Sequence, residues 1–496
     1  MRRIIRAVNP SEDGLVHLFQ PHSPTSVPWG NEPASRMVPM GKFGNPGGAE
    51  GSTHVFHRYP KVKLPTAVGG DGPYLIDANG KRYLDASSGA AVCSLGHCHP
   101  RVTAAIKNQL DQLAFAHTSF FTSSVAEELA DHLAAIAPGD LEKTYFLTGG
   151  SEAIEASLKL ARQYFVDIGQ PKRSKIISRK QSYHGNTLGA LATGGNLWRR
   201  ANFAPMLIDV VHVDACYPYR QRRVDESNED YGQRLANELE TAILDLGPET
   251  VMCFVAETIS GATLGAVPPV KGYFQRVREI CDKYGVLLIL DEVMCGMGRT
   301  GQMFAFEEEG IQPDILALAK GLGAGYQPIG AMMTTAKVFD AVVGSSGFFQ
   351  HGHTYSGHVA ACAGALAVQK VIRDDDLLAN VRIRGTQLMS SLIERFGNHP
   401  NVGDIRGRGL FQALEFVADR ATKKPLDPNH RFAARLKMMA LDEGLMCYPM
   451  SGMIDGRAGD HVMLAPPFII NEQHIEEITD KLHLAVTRLL SEIAHA

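Results

Sequence analysis

The most informative stretch of the sequence is Ala317-Leu-Ala-Lys320-Gly-Leu-Gly-Ala-Gly325. It places Lys320 between an apolar run and a glycine-rich turn. Most lysines are solvated surface charges, but a lysine in apolar surroundings is more often a reactive amine. Upstream, the apolar run Val286-Leu-Leu-Ile-Leu ends at Asp291, as a buried strand that ends in an acid would. The first functional hypothesis is therefore a buried amine that works with a buried carboxylate.

The bulk composition excludes several classes of protein. The 496 residues are 45% hydrophobic and 21% charged, with a net charge of -4, so we expect no nucleic-acid partner and no anionic membrane partner. No apolar run reaches the roughly 18 residues of a membrane span. The 8 cysteines form no CxxC pair, which favours a reducing compartment. We expect a cytoplasmic protein, with mitochondrial targeting left open by the basic start Met1-Arg-Arg-Ile-Ile-Arg6.

A metal site is the first alternative that the cysteines raise. Cys93, Cys98, His97 and His99 are the types of residue that bind zinc. Their spacing matches neither a zinc ribbon nor a zinc finger. We therefore expect no metal.

The pattern of elements predicts the organisation of the chain. Residues 1–52 are rich in proline and glycine and show no sustained period, which predicts an extended, weakly ordered arm. Two short alternating strands around Asn79-Gly80 predict a hairpin. Strands and helices then alternate, which predicts a mainly parallel sheet covered on both faces. We expect the N-terminal part of a small domain at 53–110, a large domain at 111–365 and the C-terminal, α+β part of the small domain at 366–496.

Two further motifs carry candidate chemistry. In Leu147-Thr-Gly149-Gly150-Ser151 a strand runs into a glycine turn that opens a helix. Free backbone N–H groups there would bind an anion, although a plain turn with a serine N-cap explains the pattern equally well. In Tyr183-His184-Gly185 an aromatic ring beside a glycine turn could stack on a flat cofactor, and packing is the alternative.

Taken together, these motifs indicate one cofactor. Asp291 at the end of an apolar strand needs a buried partner, unless it is an N-cap or salt-bridged acid. A phosphate-binding turn, a stacking ring, an acid and a lysine occur in the order that pyridoxal 5'-phosphate requires. The acid keeps the pyridine nitrogen protonated, and Lys320 forms the Schiff base.

The chain from about 55 to 490 closely resembles the class III pyridoxal-phosphate-dependent aminotransferases, specifically the omega-transaminase group. Six ordered blocks carry the resemblance: Thr148-Gly-Gly-Ser-Glu-Ala-Ile-Glu155, Tyr183-His-Gly185, Ala256-Glu-Thr-Ile-Ser-Gly261, Leu290-Asp-Glu-Val-Met-Cys-Gly-Met-Gly-Arg-Thr-Gly301, Pro313-Asp-Ile-Leu-Ala-Leu-Ala-Lys-Gly-Leu322 and Gly352-His-Thr-Tyr-Ser-Gly357. The resemblance implies an α/β fold of type I, with a mainly parallel seven-stranded sheet and a smaller α+β domain. It also implies a homodimer with shared active sites, with a tetramer as the alternative.

The resemblance also implies a role for each matching residue. Lys320 is the Schiff-base lysine and proton carrier, and Asp291 pairs with the ring nitrogen. Tyr183 and Val293 cover the two faces of the ring, and Gly150 and Ser151 bind the phosphate. Glu257 orders the local polar network. Gly149 and His184 are further cofactor-binding residues. Thr354 would reach the phosphate of the neighbouring subunit's cofactor.

The function that this resemblance implies is transfer of an amino group from an omega-amino acid or amine to pyruvate or a similar keto acid, by a ping-pong mechanism. Relatives specific for ornithine or 4-aminobutyrate carry an arginine where this chain has Asn186 and usually a glutamine where it has Met294. Ornithine-type relatives also carry an arginine where this chain has Met463. These departures point away from those substrates. A decarboxylase, an aminomutase or a racemase of the same family stays open, as does a scaffold without cofactor.

The prediction also names residues that would contact the substrate. The pyruvate-using omega-transaminases hold a carboxylate with an arginine a few residues before the Pro-Pro pair. The resemblance implies this role for Arg457, and a solvated surface arginine is the alternative. Apolar residues that could line the amine pocket are Phe120, Phe121, Trp198 and Met453. The sequence names neither the amine donor nor the preferred acceptor.

Overall fold

The computed structural model describes residues 53–495, so the arm predicted at 1–52 lies outside the described residues. The chain divides into two compact units, Met1–Leu64 and Pro65–Ala496. The described part of the first unit contains turns, such as the one in which Val62 N donates to Tyr59 O at 3.0 Å. All helices and strands given below belong to the second unit.

The strands form three sheets. In chain order they are β1 Ala67–Asp71, β2 Tyr74–Asp77, β3 Arg82–Asp85, β4 Leu141–Leu147, β5 Lys175–Arg179, β6 Val211–Val213, β7 Val251–Glu257, β8 Leu287–Asp291, β9 Ile315–Leu318, β10 Gly330–Thr335, β11 Val402–Arg408, β12 Phe411–Phe416, β13 Leu445–Met446, β14 Tyr448–Ser451 and β15 Asp460–Leu464.

Helices connect and cover these strands. In chain order they are α1 Ser88–Ala91, α2 Pro100–Gln112, α3 Ser124–Ile136, α4 Gly150–Asp167, α5 Leu188–Thr193, α6 Leu197–Arg200, α7 Pro218–Gln221, α8 Asn228–Leu246, α9 Tyr273–Tyr284, α10 Ala336–Gly344, α11 Val359–Asp374, α12 Leu377–Phe396, α13 Phe432–Asp442 and α14 Glu472–Ala494. Short 3₁₀ turns lie at Ala201–Met206, Pro248–Thr250, Ala305–Glu309, Lys320–Leu322 and Pro428–His430.

The central sheet has seven strands in the order β4-β10-β9-β8-β7-β5-β6. Strands β9, β8, β7, β5 and β6 run parallel, and β10 alone is antiparallel to both of its neighbours. This arrangement confirms the predicted mainly parallel, seven-stranded sheet of an α/β fold. Glu257 and Asp291 lie opposite each other at the ends of β7 and β8, so both acids reach the same edge of the sheet.

Helices bury both faces of this sheet, which explains why its inner strands are apolar along their whole length. Alternate side chains of β7 point to opposite faces. Phe254 packs in a cluster that includes Leu235 of α8 and Phe274 of α9. Val255 packs on the other face, in a cluster that includes Ile154 of α4. Helices thus pack on both faces of the strand that ends at Glu257.

Two four-stranded sheets complete the unit, in the orders β1-β2-β3-β13 and β11-β12-β15-β14. The turn between β2 and β3 contains Gly80 at φ +81°, a left-handed conformation that glycine adopts without strain, so the predicted hairpin is present. The first sheet joins residues from both ends of the unit through β3 and β13. The domain boundaries at 110 and 365 stay a prediction. Among residues 53–495, no helix is both long and apolar enough to cross a membrane.

Candidate active site

A cavity of about 140 Å³ opens at the edge of the central sheet where the parallel strands end. Ligands of open α/β sheets bind at this edge. The residues that line the cavity are Gly150, Ser151, Tyr183, His184, Gly185, Glu257, Ile259, Asp291, Val293, Met294, Cys295 and Lys320. The structure thus brings together most of the predicted cofactor residues, which come from five separate segments of the chain.

Lys320 enters the cavity from the turn that follows β9. Its backbone has φ +43°, a left-handed conformation that is uncommon for a residue with a side chain. Its Nζ donates a hydrogen bond to Ala90 O at 2.8 Å. Burial lowers the pKa of Lys320 from 10.5 to about 8, although the charges of Asp291 and Glu257 act in the opposite direction. A neutral amine is therefore accessible much closer to neutral pH than for a solvated lysine.

Asp291 is held by two donors at the end of β8. His184 Nδ1 lies 2.8 Å from Asp291 Oδ2, and Val293 N donates to Oδ1 at 3.0 Å. Because a carboxylate only accepts, the bonded His184 Nδ1 carries the proton. The His184 side chain is fully buried, with Ser178 Oγ 3.4 Å from its Nε2. The carboxylate is thus fixed in orientation while it faces the cavity.

Glu257 fixes the backbone on two sides of the cavity. Its Oε1 accepts from Tyr183 N at 3.0 Å, and its Oε2 accepts from Gly261 N at 2.6 Å. Burial raises the pKa of Glu257; the nearby His184 lowers it and the charge of Asp291 raises it further. Glu257 therefore connects the segment that carries the stacking ring to the segment that follows β7.

The glycine turn before α4 forms a cradle for an anion. Gly149 is the N-cap and provides no side-chain cap, so the first backbone N–H groups of α4 are available to a ligand. A Cβ on Gly150 would lie 2.9 Å from Val293 Cγ1, which shows how closely the backbone approaches the cavity wall. Ser151 Oγ accepts from Asn186 N at 3.0 Å and lines the same cavity. This donor set fits a phosphate group.

Several predicted residues lie outside the cavity of this chain. Phe120 is 79% exposed and Trp198 is 61% exposed. Thr354 and Arg457 are exposed as well, and neither lines the cavity. Of the two remaining apolar candidates, Phe121 is also exposed, and Met453 is buried in a separate cluster with Tyr217.

Two contacts at the cavity were missed by the sequence analysis. The carbonyl of Ala90, in the short helix α1, accepts from Lys320 Nζ across 230 residues of sequence, and the segment around it has no recognisable motif. Arg199 lies with its Cζ 4.5 Å from the centre of the Tyr183 ring. The basic pair Arg199-Arg200 is visible in the sequence. Such a pair usually marks a solvated surface, so it did not indicate a contact at the cavity.

The cysteine and histidine cluster is only partly assembled. Cys93 and His97 come together with Asp85, and their donor atoms lie within 4.8 Å of one another, the one such group found in the described part of the chain. Cys98 is exposed and His99 is outside the group. His97 Nε2 lies 3.3 Å from Asp85 Oδ2, which is the separation of an ion pair. The expectation of no metal stays a prediction.

Comparisons with known proteins agree with the geometry. The sequence matches the family described as aminotransferase class-III over residues 59–486. It is 44% identical over 444 residues to an aminotransferase of Gibberella zeae, covering 88% of this chain and 87% of that protein. It is 41% identical to the uncharacterized aminotransferase YodT of Bacillus subtilis, covering 82% and 91%.

Solved structures give the same result. An (S)-enantioselective omega-transaminase from Thermomicrobium roseum matches with a TM-score of 0.82 and 34% identity, over 87% of this chain and 94% of that chain. The omega-transaminase of Pseudomonas jessenii in complex with PMP matches with a TM-score of 0.83 and 34% identity, over 89% and 97%. Class III aminotransferases depend on pyridoxal phosphate, and these neighbours confirm the predicted type I fold. The chain therefore belongs to the class-III aminotransferase family, and it is a transaminase.

Proposed function

We propose that this transaminase moves an amino group from an omega-amino acid or amine to pyruvate or a similar keto acid, with pyridoxal 5'-phosphate as cofactor and a ping-pong mechanism. One observation carries the proposal. Lys320, whose pKa burial lowers to about 8, shares a cavity with Asp291, whose carboxylate is fixed by His184. A reactive amine beside an oriented acid is the pair that this cofactor requires.

The residues of the cavity would hold the cofactor at four places. Gly149, Gly150 and Ser151 would bind the phosphate at the start of α4. Tyr183 and Val293 would cover the two faces of the ring. Asp291, which already accepts from His184, would accept from the ring nitrogen as well, and Lys320 would hold the aldehyde end. Glu257 would keep the Tyr183 segment in place through Tyr183 N.

When bound, pyridoxal phosphate supplies an aldehyde for the substrate amine and a protonated ring that accepts negative charge from the substrate carbon. The task of Asp291 is to keep a proton on the ring nitrogen, because a buried carboxylate favours a cationic partner. The task of Lys320 Nζ is to remove a proton from the substrate and return it at a second position. Lys320 must be neutral to take the proton, and its lowered pKa provides that state near neutral pH.

We further propose a homodimer with shared active sites. Its support is an exposed apolar surface formed by the loop at 115–121 and the segment at 353–358, which contain Phe120 and Thr354. The two segments pack together, with the rings of Phe115 and Tyr355 5.8 Å apart. Large exposed apolar patches are typical of interfaces between subunits. Light scattering at micromolar concentration measures the mass of the protein in solution. A mass between those of one and two chains would indicate a dimer that dissociates. A strictly monomeric mass would exclude the shared site.

A cytoplasmic location belongs to the proposal as well. Some relatives are named chloroplastic or mitochondrial, among them gamma aminobutyrate transaminase 3 of Solanum lycopersicum, at 37% identity over 419 residues. Cell fractionation of the untagged full chain distinguishes a cytoplasmic location from a mitochondrial or chloroplast location.

Donor-only absorbance spectroscopy tests the proposed reaction. The purified enzyme with bound cofactor is mixed with single amines or omega-amino acids, without acceptor. A stoichiometric loss of the visible cofactor band that pyruvate then restores is the expected result for a ping-pong transaminase. Carbon dioxide release, or product formation with no loss of the band, would favour the decarboxylase, aminomutase or racemase alternatives.

A further inference from the structure

We infer that a second cavity binds a small organic carboxylate with an apolar body, and that Arg200 holds the negative charge of this ligand. The cavity, which we call the side cavity, lies where β5 and β6 end and has a volume of about 460 Å³. It shares no lining residue with the Lys320 cavity. The inference goes beyond the proposed function, because a ligand in the side cavity would meet neither Lys320 nor Asp291 and would not react.

The side cavity has an apolar wall. Its apolar lining residues come from helix α6, the turn after β6, the loop after β7 and the loop after β14, and they are Leu197, Ala215, Leu264, Met453 and Ile454. Leu264 and Met453 are buried, so they belong to the packed part of the unit. The volume lies within the roughly 300–1,000 Å³ of pockets that bind small molecules, and a mainly apolar wall is typical of such pockets.

Charges at the side cavity are compensated within the protein, with one exception. Lys180 Nζ lies 2.6 Å from Asp214 Oδ1. Arg220 Nε donates to Glu415 Oε1 at 2.6 Å. Arg200 forms no ion pair within residues 53–495, and burial alone accounts for its lowered pKa. The side cavity therefore carries one uncompensated positive charge.

The guanidinium of Arg200 keeps most of its donors free for a ligand. His212 Nε2 lies 3.0 Å from Thr193 O, so Nε2 carries the ring proton and Nδ1 is the acceptor. Arg200 Nη1 lies 3.3 Å from this Nδ1 and donates to it. Burial and the charge of Arg200 lower the pKa of His212 to about 4, so the ring is neutral near pH 7. Among the described residues, no acceptor pairs with Arg200 Nε or Nη2, and neither atom is sealed from solvent.

These features together define the ligand. A carboxylate matches the guanidinium, because the two planar groups form parallel hydrogen bonds. An apolar body matches the wall that contains Leu264 and Met453. A second negative charge would lie near Asp214, the one acid among the described residues that line the side cavity. We therefore expect a monocarboxylate.

Helix α6 connects the side cavity to the active site. Leu197 and Arg200 line the side cavity, and Arg199 of the same helix lies with its Cζ 4.5 Å from the ring centre of Tyr183. Trp198 lies between them in the helix. A ligand held by Arg200 would restrain this helix, so the fluorescence of Trp198 should report binding. Such a ligand would be an effector of the enzyme and not its substrate.

Fluorescence of Trp198 tests the inference with the purified enzyme and its bound cofactor. The chain has 2 tryptophans, so Trp29→Phe leaves Trp198 as the one reporter. The probe is hexanoate, with hexanol and hexylamine as controls of equal length. We expect saturable binding of hexanoate and of neither control. Arg200→Gln should raise the Kd for hexanoate about 10- to 100-fold, the range of a charged hydrogen bond.

Three further variants complete the test. Arg200→Lys keeps the charge without the planar fork, so it should restore part of the affinity and shows that the loss in Arg200→Gln is not a folding defect. Arg200→Glu should make hexylamine the ligand in place of hexanoate. Arg222→Gln is the matched control, because Arg222 is exposed and lies outside the side cavity, and it should leave the Kd within about twofold.

The contrary results are equally definite. Absence of saturation by hexanoate in the millimolar range, equal binding of hexanol, or an unchanged Kd in Arg200→Gln would overturn the inference. A loss of affinity in Arg457→Gln but not in Arg200→Gln would place the ligand at the active site instead and would also overturn it. Because binding is measured without turnover, the result does not depend on whether the enzyme follows the proposed reaction.

Discussion

The pKa of Lys320 gives the sharpest prediction. In the cofactor-free protein, Lys320 should lose its proton at about pH 8, because burial disfavours the charged form. Asp291 and Glu257 raise this pKa and Arg299 and Arg199 lower it, so burial is the dominant cause. The amine is protonated below this pH and neutral above it. Reactivity of Lys320 should therefore rise as the pH increases through about 8.

The size of the effect follows from the pKa alone. At pH 7, a lysine with a pKa of about 8 is neutral in about one molecule in ten. With its ordinary pKa of 10.5, it would be neutral in about one molecule in three thousand. The structure thus predicts about 300-fold more neutral amine at pH 7, and this gain is lost as the pH rises toward 10.5 and solvated lysines also deprotonate.

Competitive labelling measures the pKa of single lysines. Cofactor-free protein is treated with limiting acetic anhydride across a pH series, and each lysine-containing peptide is quantified by mass spectrometry. Lys283 is an internal comparator, because its hydrogen bonds to Glu240 and Tyr284 raise its pKa above the ordinary value. Asp291→Asn removes a charge that raises the pKa of Lys320, so the midpoint should move below about 8. A Lys320 midpoint at or above 10.5 would refute the argument from burial.

Three further predictions concern the cavity and the core. Gly150→Ala places a Cβ 2.9 Å from Val293 Cγ1, so the affinity for the cofactor should fall about tenfold or more in an absorbance titration. An unchanged affinity would contradict the close approach of the backbone to Val293. His184→Leu removes the 2.8 Å bond to Asp291, and urea unfolding should show a loss of about 1.5–3 kcal/mol, whereas an unchanged midpoint would mean that the bond adds nothing. Phe254→Ala empties a fully buried position of β7, and the urea midpoint should fall by the equivalent of about 3–5 kcal/mol; a loss below about 1 kcal/mol would show that the core collapses around the gap.

Elements with a clear local pattern were predictable from the sequence. The apolar run before Asp291 identified β8, and the glycine turn before Ser151 identified the start of α4. The cavity itself was predictable because strand ends meet at one edge of a parallel sheet.

Contacts between distant loops could not be predicted. The antiparallel direction of β10 depends on its neighbours β4 and β9, and local periodicity carries no information about direction. The bond from Lys320 to Ala90 joins a motif to the short helix α1, which contains none. The contact between Arg199 and Tyr183 depends on how α6 is oriented against the sheet edge, which only the tertiary structure shows.

Identification of the lysine that binds the cofactor shows whether Lys320 is the Schiff-base residue. The enzyme with pyridoxal phosphate is reduced with borohydride, which fixes the bond between cofactor and amine, and the labelled peptide is then mapped by mass spectrometry. We expect one label per chain, on Lys320, and no label in Lys320→Ala. A label on another lysine, or undiminished labelling in Lys320→Ala, would contradict this expectation.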